Sequence, residues 1–135
     1  MDLLVNIDVD DLAKAIAFYR QAADLRVGRR FGAFGVEMLG ASSAIYLLVK
    51  AAGTRPTPHA DDLRNYQRHW TPVHLDFVVD DVFAAVGRAT AAGATIEGEI
   101  ETHRGGRIAR MADPFGHGIC FIEFLGRGYD EIAGE

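Results

Sequence analysis

The residues at positions 71–82, TPVHLDFVVDDV, place a histidine and an aspartate inside an apolar run. His74 and Asp76 are two positions apart, so in a β-strand both side chains point to the same face of the sheet. An imidazole there could bind a metal ion, act as a general base, or form a satisfied interior contact with Asp76 or the backbone. The single cysteine, Cys120, lies in another apolar run. It is either a small buried side chain or a nucleophile whose thiol pKa a nearby base or cation lowers.

The segment around His74 repeats a pattern found near the start of the chain. LLVNIDVDDLAKAI begins at Leu3 and HLDFVVDDVFAAV begins at His74. Each is an alternating apolar run that ends in Asp-Asp and continues with apolar residues at helical spacing, which predicts a strand followed by a helix. Asp11 and Asp81 suit the N-terminal caps of these helices.

Three strands are predicted after each helix, over residues 26–30, 33–39 and 44–50 and over residues 95–101, 107–112 and 118–124. Each half therefore reads β-α-β-β-β. We predict an α+β fold of two βαβββ modules, residues 1–50 and 71–126, in one structural domain. The apolar faces of two such units are expected to form a concave mixed-sheet cup, a natural site for a small molecule, either within one chain or across a dimer.

Two segments lie outside the repeats. Residues 51–70, AAGTRPTPHADDLRNYQRHW, contain two prolines and are predicted to link the modules. The aromatic residues Tyr66 and Trp70 of this linker could stack on a planar ligand, and Arg68 could meet an anion. The tail, residues 127–135, is predicted to be either a mobile end or an arm that packs on a partner.

Composition narrows the range of partners and locations. The 135-residue chain has a formal net charge of −5 and scattered arginines, which argues against nucleic acid. One cysteine rules out an intramolecular disulfide and fits a reducing cytoplasm. No apolar run approaches the roughly 18–20 residues that span a bilayer, so no membrane association is expected.

The motifs DLAKAIAFY, HLDFVVDDV and DPFGHGICFIEF together resemble the vicinal oxygen chelate superfamily. That group includes glyoxalase I, the fosfomycin resistance proteins, extradiol dioxygenases and the bleomycin resistance proteins, and the resemblance extends to about Gly126. It implies a divalent metal bound by one residue from the first strand and one from the last strand of each module, usually His, Gln or Glu.

Carried over position by position, the resemblance keeps few of these ligands. His74 matches the pattern, while its counterpart in the first module is Leu4. Cys120 stands where Glu is usual, and its counterpart is Leu47, or Tyr46 if the alignment shifts by one. Because leucine donates nothing to a metal, we expect no metal cofactor; a divalent ion would need a displaced site that includes Asp76 and Asn6. Glu123 lies three positions from Cys120 and is predicted to face away from it.

The leading hypothesis is a metal-free glyoxalase- and bleomycin-resistance-like protein that binds a small apolar or aromatic molecule for resistance or sequestration. The first alternative is a metal-dependent lyase, isomerase or dioxygenase, with His74 as the best catalytic candidate. The second is a dimeric scaffold with a vestigial pocket; a homodimer is expected in each case. The candidate ligand-binding residues are Asn6, Leu47, Tyr66, Trp70, His74, Asp76 and Cys120.

Overall fold

The computed structural model describes residues 1–134, which fall into two compact units, Met1–Gln67 and Arg68–Glu135. The first unit contains β1 Val5–Val9, α1 Leu12–Ala23, β2 Arg26–Phe31, β3 Gly35–Leu39 and β4 Ile45–Val49. The second contains β5 Leu75–Val78, α2 Val82–Ala92, β6 Thr95–Ile96, β7 Glu101–His103, β8 Gly106–Ala112, β9 Gly118–Phe124 and a short 3-10 helix, Gly128–Glu131. The predicted α+β fold with two repeated units is confirmed. Among the described residues, no helix combines the length and apolar character that a membrane crossing requires.

The sheet of the first unit has the strand order β1-β4-β3-β2. β1 runs parallel to β4, and the other neighbours are antiparallel. Alternation along the strands buries one face, which includes Val9, Leu47 and Val36, and the buried side chains of α1 complete this core. The opposite face carries Asn6 and Tyr46 as direct neighbours across β1 and β4.

The sheet of the second unit has the order β5-β9-β8-β6, with β7 also paired to β8. Its core contains the fully buried Phe121, Ala109 and Met111, together with the buried face of α2. The opposite face carries Asp76 and Cys120, which are neighbours across β5 and β9. It is this face, away from the helix, that presents the chemically capable side chains.

Both helices begin as the paired aspartates predict. The Asp11 carboxylate accepts a hydrogen bond from the Lys14 backbone N–H at 3.0 Å, and Asp81 does the same for Ala84 at 3.0 Å. Gly93 ends α2 with a φ of 115°, a left-handed conformation that glycine adopts readily.

One strand prediction was wrong in detail. The strand predicted over residues 95–101 is divided into β6 and β7, which pair with successive parts of β8. Gly98 lies between them with a φ of 85°, and this left-handed conformation interrupts the extended backbone.

Most of the predicted linker packs on the first unit. Gly53 N–H donates to the Arg64 carbonyl at 2.7 Å, Arg64 N–H donates to the Thr54 carbonyl at 2.8 Å, and the Arg64 guanidinium pairs with Asp8 at 2.9 Å. The chain passes to the second unit at Arg68. Residues 51–67 therefore have a defined structure of their own and are more than a connector.

The segment after β9, which includes the predicted tail, packs on its own sheet. Leu125 N–H donates to the Gly105 carbonyl at 2.9 Å, and the Tyr129 ring meets the Phe124 ring edge-to-face with centroids 4.8 Å apart. These contacts hold the 3-10 helix at the end of β9. Glu135, the last residue of the predicted tail, lies outside the described residues.

Candidate functional site

The site is built from three side chains on the face of the second sheet that lies away from α2, which we call its outer face. His74 precedes β5, Asp76 lies on β5, and Cys120 lies opposite Asp76 on β9. The Nδ1 atom of His74 is 2.8 Å from Oδ1 of Asp76, so the two form the hydrogen bond that their spacing allows. One nitrogen, one carboxylate oxygen and one sulfur of the three residues all lie within 4.8 Å of one another.

The thiol of Cys120 is held in its neutral form. Burial, reinforced by the negative charge of Asp76 and a hydrogen bond to that carboxylate, raises the pKa of Cys120 to about 11. Arg110 acts in the opposite direction, but its guanidinium is paired with Glu101 at 3.0 Å. A protonated thiol is a poor nucleophile, so Cys120 lacks the activation that covalent catalysis requires.

A cavity of about 260 Å³ opens beside His74 and Cys120. Trp70 stands at this cavity with 80% of its surface exposed, which leaves an indole face free for a ligand. The other lining residues are Arg68, Thr71, Ile108, Arg110, Met111, Gly118 and Ile119. The pocket therefore combines aromatic, aliphatic and polar groups, as small-molecule sites do.

That Arg68 could meet an anion of a ligand stays a prediction, and within the protein Arg68 meets a carboxylate. Its guanidinium donates to both carboxylate oxygens of Glu97, at 2.7 and 2.8 Å. This two-point pairing already compensates its charge and fixes its orientation along the cavity wall.

The corresponding face of the first unit shows which residues match the site. Strand register places Asn6 beside Tyr46, as it places Asp76 beside Cys120. Tyr46 is therefore the counterpart of Cys120, and the choice of Leu47 was wrong: Leu47 points to the opposite face and is fully buried in the core.

Tyr46 belongs to a polar network of the first unit. Its hydroxyl donates to Glu37 at 3.2 Å, and Arg29 donates to both oxygens of the same carboxylate, the shortest contact being 2.6 Å. The Arg29 hydrogen bonds are the main reason that the pKa of Glu37 falls to about 2. Asn6 is exposed on the neighbouring strand.

The second aromatic residue of the predicted pocket mouth lies elsewhere. Tyr66 belongs to the first unit, where its hydroxyl donates to the carbonyl of Lys50. Burial raises the pKa of Tyr66. It does not line the cavity beside Trp70, which belongs to the second unit.

The donor set decides whether a divalent metal fits. At the four positions that the superfamily uses, Leu4 offers no donor and the Tyr46 hydroxyl is hydrogen-bonded to Glu37, so that set does not fit a metal. A different set, His74, Asp76 and Cys120, offers the nitrogen, oxygen and sulfur donors that zinc accepts. Among residues 1–134 it is the only group of three or more His, Cys, Asp or Glu residues placed to hold an ion.

Several residues near the site were not predicted. Ile108 and Arg110 lie on β8 and share the face of Cys120, which alternation along that strand could have revealed. A second cavity of about 290 Å³ is bounded by residues of β5, β8 and β9 and by Tyr129 and Ile132 of the tail. Nothing in the sequence indicated that the tail would return to this face.

Glu123 faces away from Cys120, as predicted. Its carboxylate accepts a hydrogen bond from the Val82 backbone N–H at 3.0 Å and pairs with Arg107 at 2.9 Å. It serves the start of α2 and cannot contribute to the site on the other face.

Comparison of the chain with solved structures finds the same fold in several proteins. One is a glyoxalase/bleomycin resistance protein/dioxygenase family enzyme from Burkholderia phytofirmans, with 22% identity, a TM-score of 0.69, and coverage of 93% of this chain and 100% of that one. Another is a fosfomycin resistance protein from Listeria monocytogenes, with 20% identity, a TM-score of 0.67 and 90% coverage of each chain. A third is a lactoylglutathione lyase from Agrobacterium tumefaciens, with 21% identity, a TM-score of 0.61, and coverage of 91% and 92%.

The sequence itself gives the family. A search of curated proteins finds no significant match. The sequence model of the glyoxalase-like domain, however, matches residues 4–122, which is most of the chain and includes both repeated units. The chain therefore belongs to the glyoxalase-like domain family of the vicinal oxygen chelate superfamily.

Proposed function

We propose that this protein binds a small, largely apolar or aromatic molecule, without a metal ion, at the sheet face that carries Trp70, His74 and Cys120. The observation that carries the proposal is the open cavity of about 260 Å³ beside an indole that is 80% exposed. A flat ligand could stack on Trp70 and reach the polar groups behind it.

The polar groups of the cavity favour binding over catalysis. Asp76 forms a hydrogen bond with His74, burial and the charge of Asp76 raise the pKa of the Cys120 thiol, and Arg68 and Arg110 are each paired with a glutamate. None of these groups has the activated form that a nucleophile requires, whereas sequestration requires only contact and shape. A resistance or sequestration role also agrees with a structural relative that is named a fosfomycin resistance protein.

The open cavity also weighs against a scaffold with a vestigial pocket, which would be filled by side chains. We retain the homodimer and the cytoplasmic location as parts of the proposal. Sedimentation velocity over a hundredfold range of concentration would test the first, and a monomer throughout that range would contradict it.

A metal-dependent lyase, isomerase or dioxygenase is the second candidate, because His74, Asp76 and Cys120 bring three donor atoms within 4.8 Å of one another. These residues would hold a zinc-type ion and leave a coordination position for substrate. Such an ion would act as a Lewis acid toward an oxygen of the substrate. Binding would require the Cys120 thiol to lose its proton, which its raised pKa opposes.

Metal content separates the two candidates. The purified protein would be incubated with zinc, nickel, manganese or ferrous iron, dialysed extensively and analysed for bound metal, beside the variants Cys120→Ser and Asp76→Asn. Near-background metal in all three proteins is expected. About one ion per chain in the wild type, lost in both variants, would overturn the metal-free proposal and direct the search to substrates with vicinal oxygens.

Fluorescence titration tests the binding proposal directly, since Trp70 is the only tryptophan. A panel of aromatic and cationic small molecules would be added while Trp70 emission and the melting temperature are recorded. At least one compound is expected to change the emission and raise the melting temperature. A panel that leaves both quantities unchanged would count against the proposed function.

A further inference from the structure

We infer that the second cavity, on the same sheet face and walled by the C-terminal tail, receives the apolar body of a ligand whose cationic nitrogen meets Asp76. The inference rests on the proposed function and names its ligand class, an organic ammonium compound with a flat aromatic or aliphatic body. Of the four residues of β5, Asp76 is the one that lines this second cavity.

The cavity has the lining that an apolar body requires. Its floor is formed by Ile108, Ile122 and Phe124. Alternation along β8 and β9 places these side chains on the outer face of the second sheet. Tyr129 and Ile132 add an aromatic and an aliphatic wall from the tail. The volume of about 290 Å³ is at the lower end of the range for small-molecule sites and is sufficient for a two-ring aromatic.

The tail is held closely enough to act as a fixed wall. A Cβ added at Gly105 would lie 2.5 Å from the Gly128 carbonyl oxygen, so only glycine permits this approach of hairpin and tail. Gly105 also has a φ of 89°, which favours glycine independently. The Glu131 carboxylate accepts a hydrogen bond from Arg127 N–H at 3.1 Å and closes the turn. The close backbone approach at Gly105 and the Glu131 hydrogen bond thus hold the segment that carries Tyr129 and Ile132.

Charge around the cavity favours a cationic ligand. The basic side chains at the rim have carboxylate partners: Arg107 pairs with Glu123 at 2.9 Å, and the His103 ring is hydrogen-bonded to Glu101 at 3.0 Å. Arg104 lies 3.9 Å from a carboxylate oxygen of Glu131 in the tail.

Asp76 differs from these groups. Within residues 1–134, no lysine or arginine forms an ion pair with it; its carboxylate contacts the His74 ring at 2.8 Å, and Cys120 is its neighbour across the sheet. A carboxylate has about four acceptor positions, so capacity remains for an ammonium group. Among the groups that line the cavity, Asp76 is therefore the one suited to a ligand cation.

Three probes of the same shape test the ligand class: 1-naphthylmethylammonium, 1-naphthylmethanol and 1-naphthoate. Calorimetric titration would measure each dissociation constant for the wild type and for Tyr129→Ala, Ile132→Ser, Asp76→Asn and Phe83→Ala. Phe83 is a matched control, since it is an exposed aromatic residue of α2 that lines neither cavity. The Arg107 guanidinium lies over its ring, 5.6 Å from the centroid. Circular dichroism would verify that each variant is folded.

The ammonium probe is expected to bind tightest and the carboxylate weakest. Loss of the aromatic wall in Tyr129→Ala should weaken the ammonium probe by about tenfold, Ile132→Ser should weaken it in the same direction, and Phe83→Ala should stay within about twofold. Asp76→Asn should reduce the ammonium probe to the affinity of the neutral alcohol.

Unchanged affinity in both tail variants, or tighter binding of 1-naphthoate than of the ammonium, would overturn the inference. If the probe then still alters Trp70 emission, the proposed function stands and only the second cavity is excluded. Failure of all three probes to bind would also overturn the inference, and the aromatic panel described above would then decide the proposed function separately.

Discussion

Three side chains, His74, Asp76 and Cys120, form a site whose polar groups satisfy one another. The two-residue spacing of His74 and Asp76 was enough to predict that they share a face, and the structure adds the 2.8 Å contact. The protonation state of Cys120 could not be predicted, because it depends on burial and on the charge of a residue in another strand. Chemistry at this site is therefore determined by environment more than by residue type.

The raised pKa of Cys120 predicts slow alkylation. At pH 8 the folded protein should react with iodoacetamide about a hundredfold more slowly than the same cysteine in urea, because little thiolate is present. The Asp76→Asn variant should react faster, since it removes a negative charge that raises the thiol pKa. Mass spectrometry over time gives the rates, with Cys120→Ser as the unlabelled control; equal rates for folded and unfolded protein would contradict the expectation.

The lowered pKa of Glu37 predicts a particular acid sensitivity. A carboxyl whose pKa is about 2 in the folded protein, against an ordinary 4.5, stabilises the fold above pH 4.5 and loses that contribution as the pH falls toward 2. Glu37→Gln should therefore be less stable at neutral pH and should lose less stability over this acid range. Urea unfolding at a series of pH values measures both effects.

Glu99→Gln is the control for that experiment, since Glu99 is exposed and forms no ion pair within residues 1–134. It should follow the wild-type curve. The Glu37 expectation fails if Glu37→Gln and wild type show parallel pH dependence between pH 4.5 and 2.

At the scale of helices and strands, most of the fold could be predicted because the local signals agree. Alternating apolar runs, helical spacing and the capping aspartates all indicate the same elements. Two features depended on information that the sequence pattern does not carry. The interruption between β6 and β7 depends on the positive φ of Gly98, and the choice between Tyr46 and Leu47 depends on strand register.

The repeated helix caps allow a test within one molecule. Asp11→Ala and Asp81→Ala should each lower the free energy of unfolding by about 1 kcal/mol, because each leaves a backbone N–H of the first turn without its acceptor. The preceding aspartates provide matched controls: Asp10→Ala and Asp80→Ala should change stability by less than about 0.5 kcal/mol. Chemical denaturation measures all four variants, and equal losses at cap and control positions would show that the caps are not what stabilises these helices.

At the scale of the whole chain, the repeat shows that the same sheet face can carry different side chains on the same framework. Both units keep the strand-helix entry and the same outer sheet face, yet one carries Asn6 and Tyr46 where the other carries Asp76 and Cys120. These different side chains do not disturb the core of either unit, because alternate residues of a strand point to the other side of the sheet. The fold could therefore be predicted from the repeat, while the ligand could not.

The net charge of −5 leads to an expectation that belongs to the whole chain. A negative protein attracts a cationic ligand over distances that salt shortens, from a screening length of about 30 Å at 0.01 M to about 3 Å at 1 M. In stopped-flow measurements, the association rate of 1-naphthylmethylammonium should therefore fall as salt rises, while that of 1-naphthylmethanol should stay nearly constant. Asp76→Asn should weaken ammonium binding at every salt concentration but retain most of the salt dependence of the association rate, because most of the negative charge remains. An ammonium association rate that does not change with salt would show that attraction by the chain as a whole plays no part, and that only the local carboxylate selects the cation.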